Sequence, residues 1–311
     1  MAMSAFVADG HGSRRRWRPA LGNLGTNMLF LGPALLLFTL FIIYPVLSSV
    51  GLSFTNWDGI SQQLQSVGLV NYQSLLTDNQ FWPALEHTLI FTVAVMIIQN
   101  GLGLGLALCL QRFTRGTAFL RVLFLIPMLL SSVAIGYIWS YIYEPGPSGG
   151  LNTFLGMLHL TGLEQDWLGN SHLALGSIIA TMCWQWTGFS MIVFLAGLQL
   201  IPHELYEAAD VDGANDWQRF RHITFPMLAP AMTVNILLST IGCLRTFDII
   251  YVMTSGGPNG ATETIIPQIY RIAFSENQFG YATTVSVAFF VLMLALSVST
   301  LLLLRRREAT A

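Results

Sequence analysis

Charged and small residues with regular spacing are concentrated in one segment, residues 203–226, which lies between two long apolar runs. The segment contains five acidic residues, and its small and apolar side chains recur at helical spacing. Gly213 lies midway, where a glycine permits a turn between two short helices. The pattern predicts a helix–turn–helix whose small-residue face, at Ala208 and Ala209, lets a second protein approach closely. The alternative is a solvated amphipathic loop that only joins the two runs.

Four residues inside an apolar run form a second candidate site. Met182, Gln185, Trp186 and Phe189 occupy positions i, i+3, i+4 and i+7, so they share one face of a helix. An amide beside aromatic rings suits a sugar, because sugar hydroxyl groups can bond to the amide and apolar sugar faces can stack on the rings. The stripe predicts either a substrate pathway or helix packing in which Gln185 bonds to a neighbouring helix.

A third candidate is a pair of opposite charges, Arg245 and Asp248, inside another apolar run near its predicted outer end. Residues three apart share one face of a helix, so the two side chains could form an ion pair. Charges within a membrane span usually face the interior of a helix bundle or a water-filled cavity, which favours a role in a substrate pathway or a gate. The alternative is that both side chains extend to the nearby membrane interface.

The sequence lacks the residue patterns that catalysis or nucleotide binding requires. All 14 basic residues are arginines, so neither the Gly-Lys-Ser/Thr of a Walker A loop nor a Schiff-base lysine can exist. His203-Glu204-x-x-Glu207 resembles the zincin motif HExxH but ends in glutamate instead of histidine. We expect a chain that is not an enzyme and binds no metal or cofactor. If ATP drives its function, another chain must bind that ATP.

The composition identifies the elements that must position these residues. Of 311 residues, 53% are hydrophobic and 10% charged, against about 25% charged in typical soluble domains. So little charge cannot cover so large an apolar core, which predicts an integral membrane protein built of helices. The net charge of −2 gives no reason to expect a nucleic-acid partner. Six runs have about the 20 apolar residues that a bilayer-spanning helix needs. The predicted spans are 28–50, 88–110, 122–143, 173–199, 228–250 and 281–304.

The distribution of arginine predicts how the chain is oriented in the membrane. Twelve arginines lie in the two termini and in the second and fourth connections between spans, whereas the other three connections contain only Arg271. By the positive-inside rule, both termini are cytoplasmic. Residues 1–27 and 305–311 are then cytoplasmic tails of a six-span domain, residues 28–304. The first span is too long for the apolar region of a signal peptide, so we expect an uncleaved anchor.

The charged segment matches a known motif at every spaced position. Glu207-Ala208-Ala209, three residues, Gly213, nine residues and Ile223-x-x-Pro226 resemble the EAA loop of ABC importer permeases. Phe225 is the one departure, since leucine is usual before the proline. Other stretches are similar to the carbohydrate-uptake (maltose-type) family, and the resemblance covers residues 28–304. These stretches are Phe247-Asp248-x-x-Tyr251, Gly256-Gly257-Pro258, Tyr270-x-x-Ala273-Phe274 and Phe279-Gly280-Tyr281-Ala282.

The resemblance implies an all-α integral membrane protein with the six-transmembrane-helix bundle of the type I ABC importer permease fold. It implies that residues 203–226 dock in a cleft of an ATPase subunit, where Glu207 pairs with a basic residue. It further implies a heterodimer with a second homologous permease, two ATPase subunits that bind ATP and magnesium, and an extracytoplasmic solute-binding protein. The location would be the bacterial cytoplasmic membrane, in contact with lipid. The cargo would be a sugar or sugar-like solute, delivered to a pocket lined from the Met182 stretch.

Two other classes of function are weaker. A secondary transporter or channel would need buried relay carboxylates and inverted repeats, but Asp248 is the only carboxylate inside a predicted span. A membrane-embedded enzyme would need a metal constellation or a nucleophile–base pair. The chain also lacks the extra N-terminal spans and the large extracytoplasmic insert of the maltose permease, which weakens an analogy with maltose as the solute.

Overall fold

The structure, a computed structural model, describes residues 24–61, 64–112 and 116–308. Over these ranges the chain is helical, and its only β-type pairing is an isolated bridge between Thr55 and Ser66. The prediction of an all-α chain is therefore confirmed. Most of the predicted N-terminal tail, including its arginines, lies outside the described residues. The chain divides into two compact units, Met1–Ser48 and Ser49–Ala311.

The first unit holds most of the first predicted span. Helix α1 (Leu24–Phe38) continues through one π-helical turn (Thr39–Ile43) into α2 (Tyr44–Leu52). The stretch Leu29–Leu52 is long and apolar enough to cross a bilayer. A single continuous helix satisfies its own main-chain hydrogen bonds, as the lipid interior requires.

The second unit contains the remaining helices. They are α3 (Val70–Thr77), α4 (Phe81–Arg112), α5 (Thr117–Leu129), α6 (Ser132–Ile142), α7 (Gly150–Met157), α8 (Ala174–Gln199), α9 (His203–Val211), α10 (Asp216–Arg219), α11 (Phe225–Met227), α12 (Ala229–Leu244), α13 (Asp248–Thr254), α14 (Ile265–Tyr270) and α15 (Phe279–Glu308). Four helices of the described chain can cross a membrane by length and composition, and six can if two bent pairs each count as one span. The two pairs are α5 with α6, and the stretch Asp216–Met227 with α12.

The predicted third span is not a single straight helix. The prediction of one continuous helix over 122–143 is wrong, because α5 and α6 meet at an angle of 97°. Leu130 and Ser131 have extended backbones, and Pro127 just before them has no main-chain N–H to donate. The bend leaves the carbonyl of Leu130 outside the helical hydrogen bonds, where it can serve as an acceptor.

The predicted fifth span also ends early. The prediction of one continuous helix over 228–250 is wrong, because α12 ends at Leu244 and α13 begins at Asp248. Thr246 lies in the break, and its hydroxyl donates to the carbonyl of Gly242 at 3.0 Å. This bond satisfies one acceptor at the open end of α12.

Helix α8 lies at the centre of the second unit, and more than half of its 26 residues are buried. Its largest contact is with α4, along which polar side chains face each other. Gln99 Nε2 donates to Ser190 Oγ at 2.9 Å, and Asn235 Nδ2 of α12 donates to the Ser190 carbonyl at 3.1 Å. These bonds join three spans through groups that lipid could not satisfy.

A glycine on α4 allows this close approach. A Cβ atom added at Gly103 would lie 2.6 Å from the Cβ of Ser190, so only glycine fits there. The sequence suggests that Gly101 and Gly105 of the GLGLG stretch form the close contact. That prediction is wrong within the described chain, because a Cβ at either position would meet nothing within 4 Å.

Candidate functional site

A cavity of about 490 Å³ lies where the helix breaks of the second unit meet α4 and α8. Its lining comes from α4, α6, α8, α12, α13 and the segment between α12 and α13. Five of the six residues predicted for the substrate pathway line this cavity. They are Met182, Trp186, Phe189, Arg245 and Asp248.

The aromatic wall of the cavity consists of Trp186 and Phe189. Their rings meet edge to face, with centroids 6.3 Å apart and planes at 81°. The indole Nε1 of Trp186 is buried and has no hydrogen-bond partner among the described residues. A buried donor without a partner is costly, so a ligand that accepts this hydrogen bond would be favoured.

Gln185 is the one predicted pathway residue that does not line the cavity. It is 1% exposed, and its Nε2 lies 3.3 Å from Ser132 Oγ and 3.5 Å from the carbonyl of Leu130. Gln185 thus contacts the bend between α5 and α6, and Ser132 beside it does line the cavity. This is the neighbouring-helix contact that the sequence leaves open as the alternative for this residue.

Arg245 and Asp248 lie on either side of the break between α12 and α13. They therefore do not share one helix face, and among the described residues neither side chain forms an ion pair. The predicted pairing within one helix is wrong, because the helix ends between them. Both side chains are exposed, and both line the cavity. The cavity wall thus holds one cation and one carboxylate that can each meet a solute.

Besides Thr246 in the break, three polar residues on separate helices line the cavity and escape the sequence patterns. Gln99, Ser132 and Ser239 come from α4, α6 and α12, which are distant in sequence. Ser132 follows the bend between α5 and α6. The one local sequence signal for this bend is Pro127 followed by the paired serines Ser131-Ser132. Gln99 and Ser239 have no such signal, since isolated polar residues in a span are equally compatible with helix packing.

The segment 203–226 has the predicted helix–turn–helix form. Gly213 joins α9 to α10 with a φ of +74°, in the left-handed region that favours glycine. The N–H of Ala214 donates to the carbonyl of Ala209 at 2.9 Å and closes the end of α9. Asn215 and Gln218 form a capping box at the start of α10, with bonds of 2.8 and 2.9 Å.

The two sides of this segment face different surroundings. Ala209 is buried, and Ile223 packs against the apolar cluster around α8. Glu207 and Ala208 are exposed, and Glu207 Oε1 lies 3.3 Å from His203 Nδ1 one turn earlier. Pro226 follows at the start of α11 and is half-buried.

Two contacts hold the helices of the segment together. Arg219 forms ion pairs with both Asp210 of α9 and Asp216 of α10. The hydroxyl of Tyr206 on α9 lies 3.0 Å from that of Thr224, beyond α10. Large apolar side chains nevertheless remain outside, since Val211 is 88% and Trp217 64% exposed. An exposed apolar surface rimmed by charges is typical of a protein contact.

No three His, Cys, Asp or Glu side chains are grouped to hold a metal ion anywhere in the part of the chain that the structure describes. In the near-match to HExxH at residues 203–207, His203 Nδ1 and Glu207 Oε1 lie 3.3 Å apart.

Comparison with known proteins places the chain in a family. Residues 99–308 match the family described as binding-protein-dependent transport system inner membrane component. The chain is 32% identical to the probable starch degradation products transport system permease protein AmyD of Thermoanaerobacterium thermosulfurigenes, over 90% of this chain and 94% of that protein. It is 34% identical to the trehalose/maltose transport system permease protein MalF of Thermococcus litoralis, over 92% and 94% respectively.

A solved structure confirms the fold. A chain of a bacterial alginate ABC transporter, in complex with an alginate pentasaccharide-bound periplasmic protein, superimposes with a TM-score of 0.80. The match covers 92% of this chain and 98% of that chain at 21% identity. The predicted type I importer fold and the resemblance to importer permeases are therefore both confirmed. The chain belongs to the family of inner membrane components of binding-protein-dependent transport systems and is a permease subunit of an ABC importer.

Proposed function

We propose that this permease imports a sugar or sugar-like solute through the cavity at the two helix breaks. The observation that carries the proposal is the cavity lining, which joins an aromatic wall at Trp186 and Phe189 to the charges of Arg245 and Asp248. Neither charge forms an ion pair with another described residue. Sugars present apolar faces and many hydroxyl groups, so they suit rings beside strong hydrogen-bonding groups. The relatives named for transport of starch degradation products and of trehalose and maltose support this solute class.

Broken helices also favour a binding site at this position. In many transporters, discontinuous helices supply unpaired main-chain groups to the solute near the middle of the membrane. The breaks at Leu130–Ser131 and at 245–247 both adjoin the cavity. Met182 and Gln185 then have different roles, since Met182 lines the cavity and Gln185 supports the bend behind it.

The assembly requires partners for the exposed face of residues 203–226. In our proposal this chain pairs with a second, homologous permease and receives solute from an extracytoplasmic solute-binding protein. Two ATPase subunits bind the ATP and magnesium, and one of them docks on Glu207 and Ala208 from the cytoplasm. Both termini are cytoplasmic in this arrangement. Tail 1–27 precedes the membrane-spanning domain 28–304 in the sequence, and tail 305–311 follows it. The chain itself catalyses no reaction.

Helix α12 offers a direct mechanical link between the two sites. It begins at Ala229, three residues after Pro226 of the docking segment, and ends at Leu244 beside Arg245. Its 16 residues give a length of about 24 Å. A movement of residues 203–226 driven by the ATPases would therefore be transmitted by one rigid helix to the rim of the cavity. This geometry supports alternating access controlled from the cytoplasmic side.

The test is uptake by the complete importer reconstituted in vesicles, with Trp186→Leu and Arg245→Gln as the variants. Both should lower sugar uptake while the ATPase subunits stay bound, because the substitutions lie in the cavity. Trp184→Leu is the matched control, since Trp184 is a neighbouring tryptophan of α8 that contacts Trp139 and does not line the cavity. Normal uptake in both cavity variants would show that the solute passes elsewhere.

A further inference from the structure

A row of six aromatic rings leads away from the cavity. Consecutive centroids are 4.9 to 5.5 Å apart, so each ring contacts the next. The row begins at Phe247, which lines the cavity, and ends in the segment before α3. In order, its members are Phe247, Tyr251, Tyr270, Phe274, Phe279 and Trp57.

The row runs toward the outer side of the membrane. Phe279 is the first residue of α15, whose other end carries Arg305 and adjoins the predicted cytoplasmic tail. Trp57 lies in the predicted outer connection, and its carbonyl accepts a bond of 2.8 Å from the N–H of Gly280. Under the proposed topology, the rings therefore connect the extracytoplasmic surface to the cavity.

The central rings are open to a ligand. Tyr251 is 39%, Tyr270 38% and Phe274 61% exposed. Large exposed rings could contact lipid as well as a ligand. The polar groups of the rings distinguish the two possibilities. Most other exposed large apolar side chains of the described residues are aliphatic, as at Ile97, Leu102 and Leu294.

The tyrosine hydroxyl groups of the row have no hydrogen-bond partner among the described residues. No described residue forms a hydrogen bond with the hydroxyl of Tyr251 or Tyr270, although Tyr206 and Tyr281 are both bonded. A hydroxyl group is both a donor and an acceptor, and hydrocarbon satisfies neither function. A ligand with apolar faces and many hydroxyl groups would satisfy the rings and the hydroxyls together.

We propose that these six rings form an aromatic track that binds an oligosaccharide, one sugar ring after another, between the extracytoplasmic face and the cavity. The inference rests on the proposed sugar function and extends it to a solute of several sugar rings. A single sugar ring would occupy only part of the track, whereas a longer chain would stack on several neighbouring rings. Loss of one ring should then weaken import of long solutes more than import of short ones.

The experiment measures uptake of radiolabelled maltose and maltotetraose by the complete reconstituted importer with its solute-binding protein. Tyr270→Leu and Phe274→Leu keep apolar volume but remove a ring. Each should raise the KM for maltotetraose about fivefold, equivalent to about 1 kcal/mol, and the KM for maltose less. Phe290→Leu is the matched control, because Phe290 on α15 is 45% exposed and makes no ring contact with the track.

Tyr270→Phe keeps the ring and removes the hydroxyl, so it tests the track even if the leucine variants fail to assemble. It should raise the KM for maltotetraose by a smaller factor, while Tyr141→Phe, at a tyrosine outside the track, should not. Unchanged kinetics in every track variant, with normal wild-type uptake, would overturn the track alone. If wild-type vesicles import neither maltose nor maltotetraose, nor any other mono-, di- or oligosaccharide tested in the same assay, the proposed sugar function is overturned and the track with it.

Discussion

Arg219 forms an ion pair with Asp210 across the turn at Gly213, so one guanidinium joins α9 to α10. The same guanidinium also contacts Asp216 at the start of α10. Both carboxylates are largely exposed, so the pairs add little to the stability of the whole chain. Their consequence is geometric, since they hold the angle between the two helices that we propose to face the ATPase.

Removing this cross-link should uncouple transport without unfolding the permease. Arg219→Gln should lower sugar-stimulated ATP hydrolysis about fivefold, whereas the free energy of unfolding should fall by no more than about 1 kcal/mol. Arg221→Gln is the control, because Arg221 is exposed on the same segment and forms no ion pair with the described residues. Equal losses of stimulated ATP hydrolysis in the two variants would contradict this prediction. They would show that coupling depends on the positive charge of the segment and not on the angle between α9 and α10.

The backbone at Gly213 should be the most sensitive point of the turn. An added Cβ would meet nothing within 4 Å, so a side chain is opposed only by the φ of +74°. Gly213→Val should therefore abolish stimulation of the ATPase, at a conformational cost of about 1–2 kcal/mol. Gly213→Asn should keep most of it, because asparagine tolerates this region. Gly213→Asp should fall between them. Immunoblots should show normal amounts of each permease variant in the membrane. Equal stimulation of the ATPase by the three variants would contradict the role proposed for the left-handed backbone at Gly213.

Glu207 should act through the ATPase and not through its neighbour in this chain. Glu207→Lys should release the ATPase subunits, because a basic partner left without its carboxylate costs about 2–5 kcal/mol. His203→Gln removes the contact that Glu207 makes within the chain and should leave the complex intact. Copurification of the ATPase with each variant is the measurement. Release by His203→Gln as well would indicate that the histidine positions the carboxylate.

The orientation of the chain can be tested with an impermeant thiol reagent on intact cells. In a background without the three native cysteines, cysteines at Ser61 and Ser148 should react from outside, and one at Glu204 should not. All three positions are exposed. Gly149 beside Ser148 is unsuitable, because a Cβ there would lie 1.8 Å from the carbonyl oxygen of Glu144. Labelling at Glu204 in sealed cells would reverse the proposed topology.

Features that depend on neighbours in the chain could be predicted from the sequence. The turn at Gly213 with its flanking helices follows from residues within one short segment, because capping and left-handed backbone are local properties. The shared face of Met182, Trp186 and Phe189 follows from helical periodicity alone. Apolar run lengths likewise predict six crossings, since hydrophobic length is what a bilayer selects.

Only the tertiary structure decided where the spans break and which polar groups meet there. A break inside an apolar run frees main-chain groups that another helix must satisfy, as Gln185 does near Leu130. Contacts with distant segments also decide that a helix break lies between Arg245 and Asp248. They likewise decide that Gly103, and not Gly101, packs closely against another helix. Gln99, Ser132 and Ser239 share one cavity although they come from three helices. Hydrophobic length and helical period are properties of one segment, whereas breaks, cavities and close contacts depend on the atoms that distant segments bring to the same place.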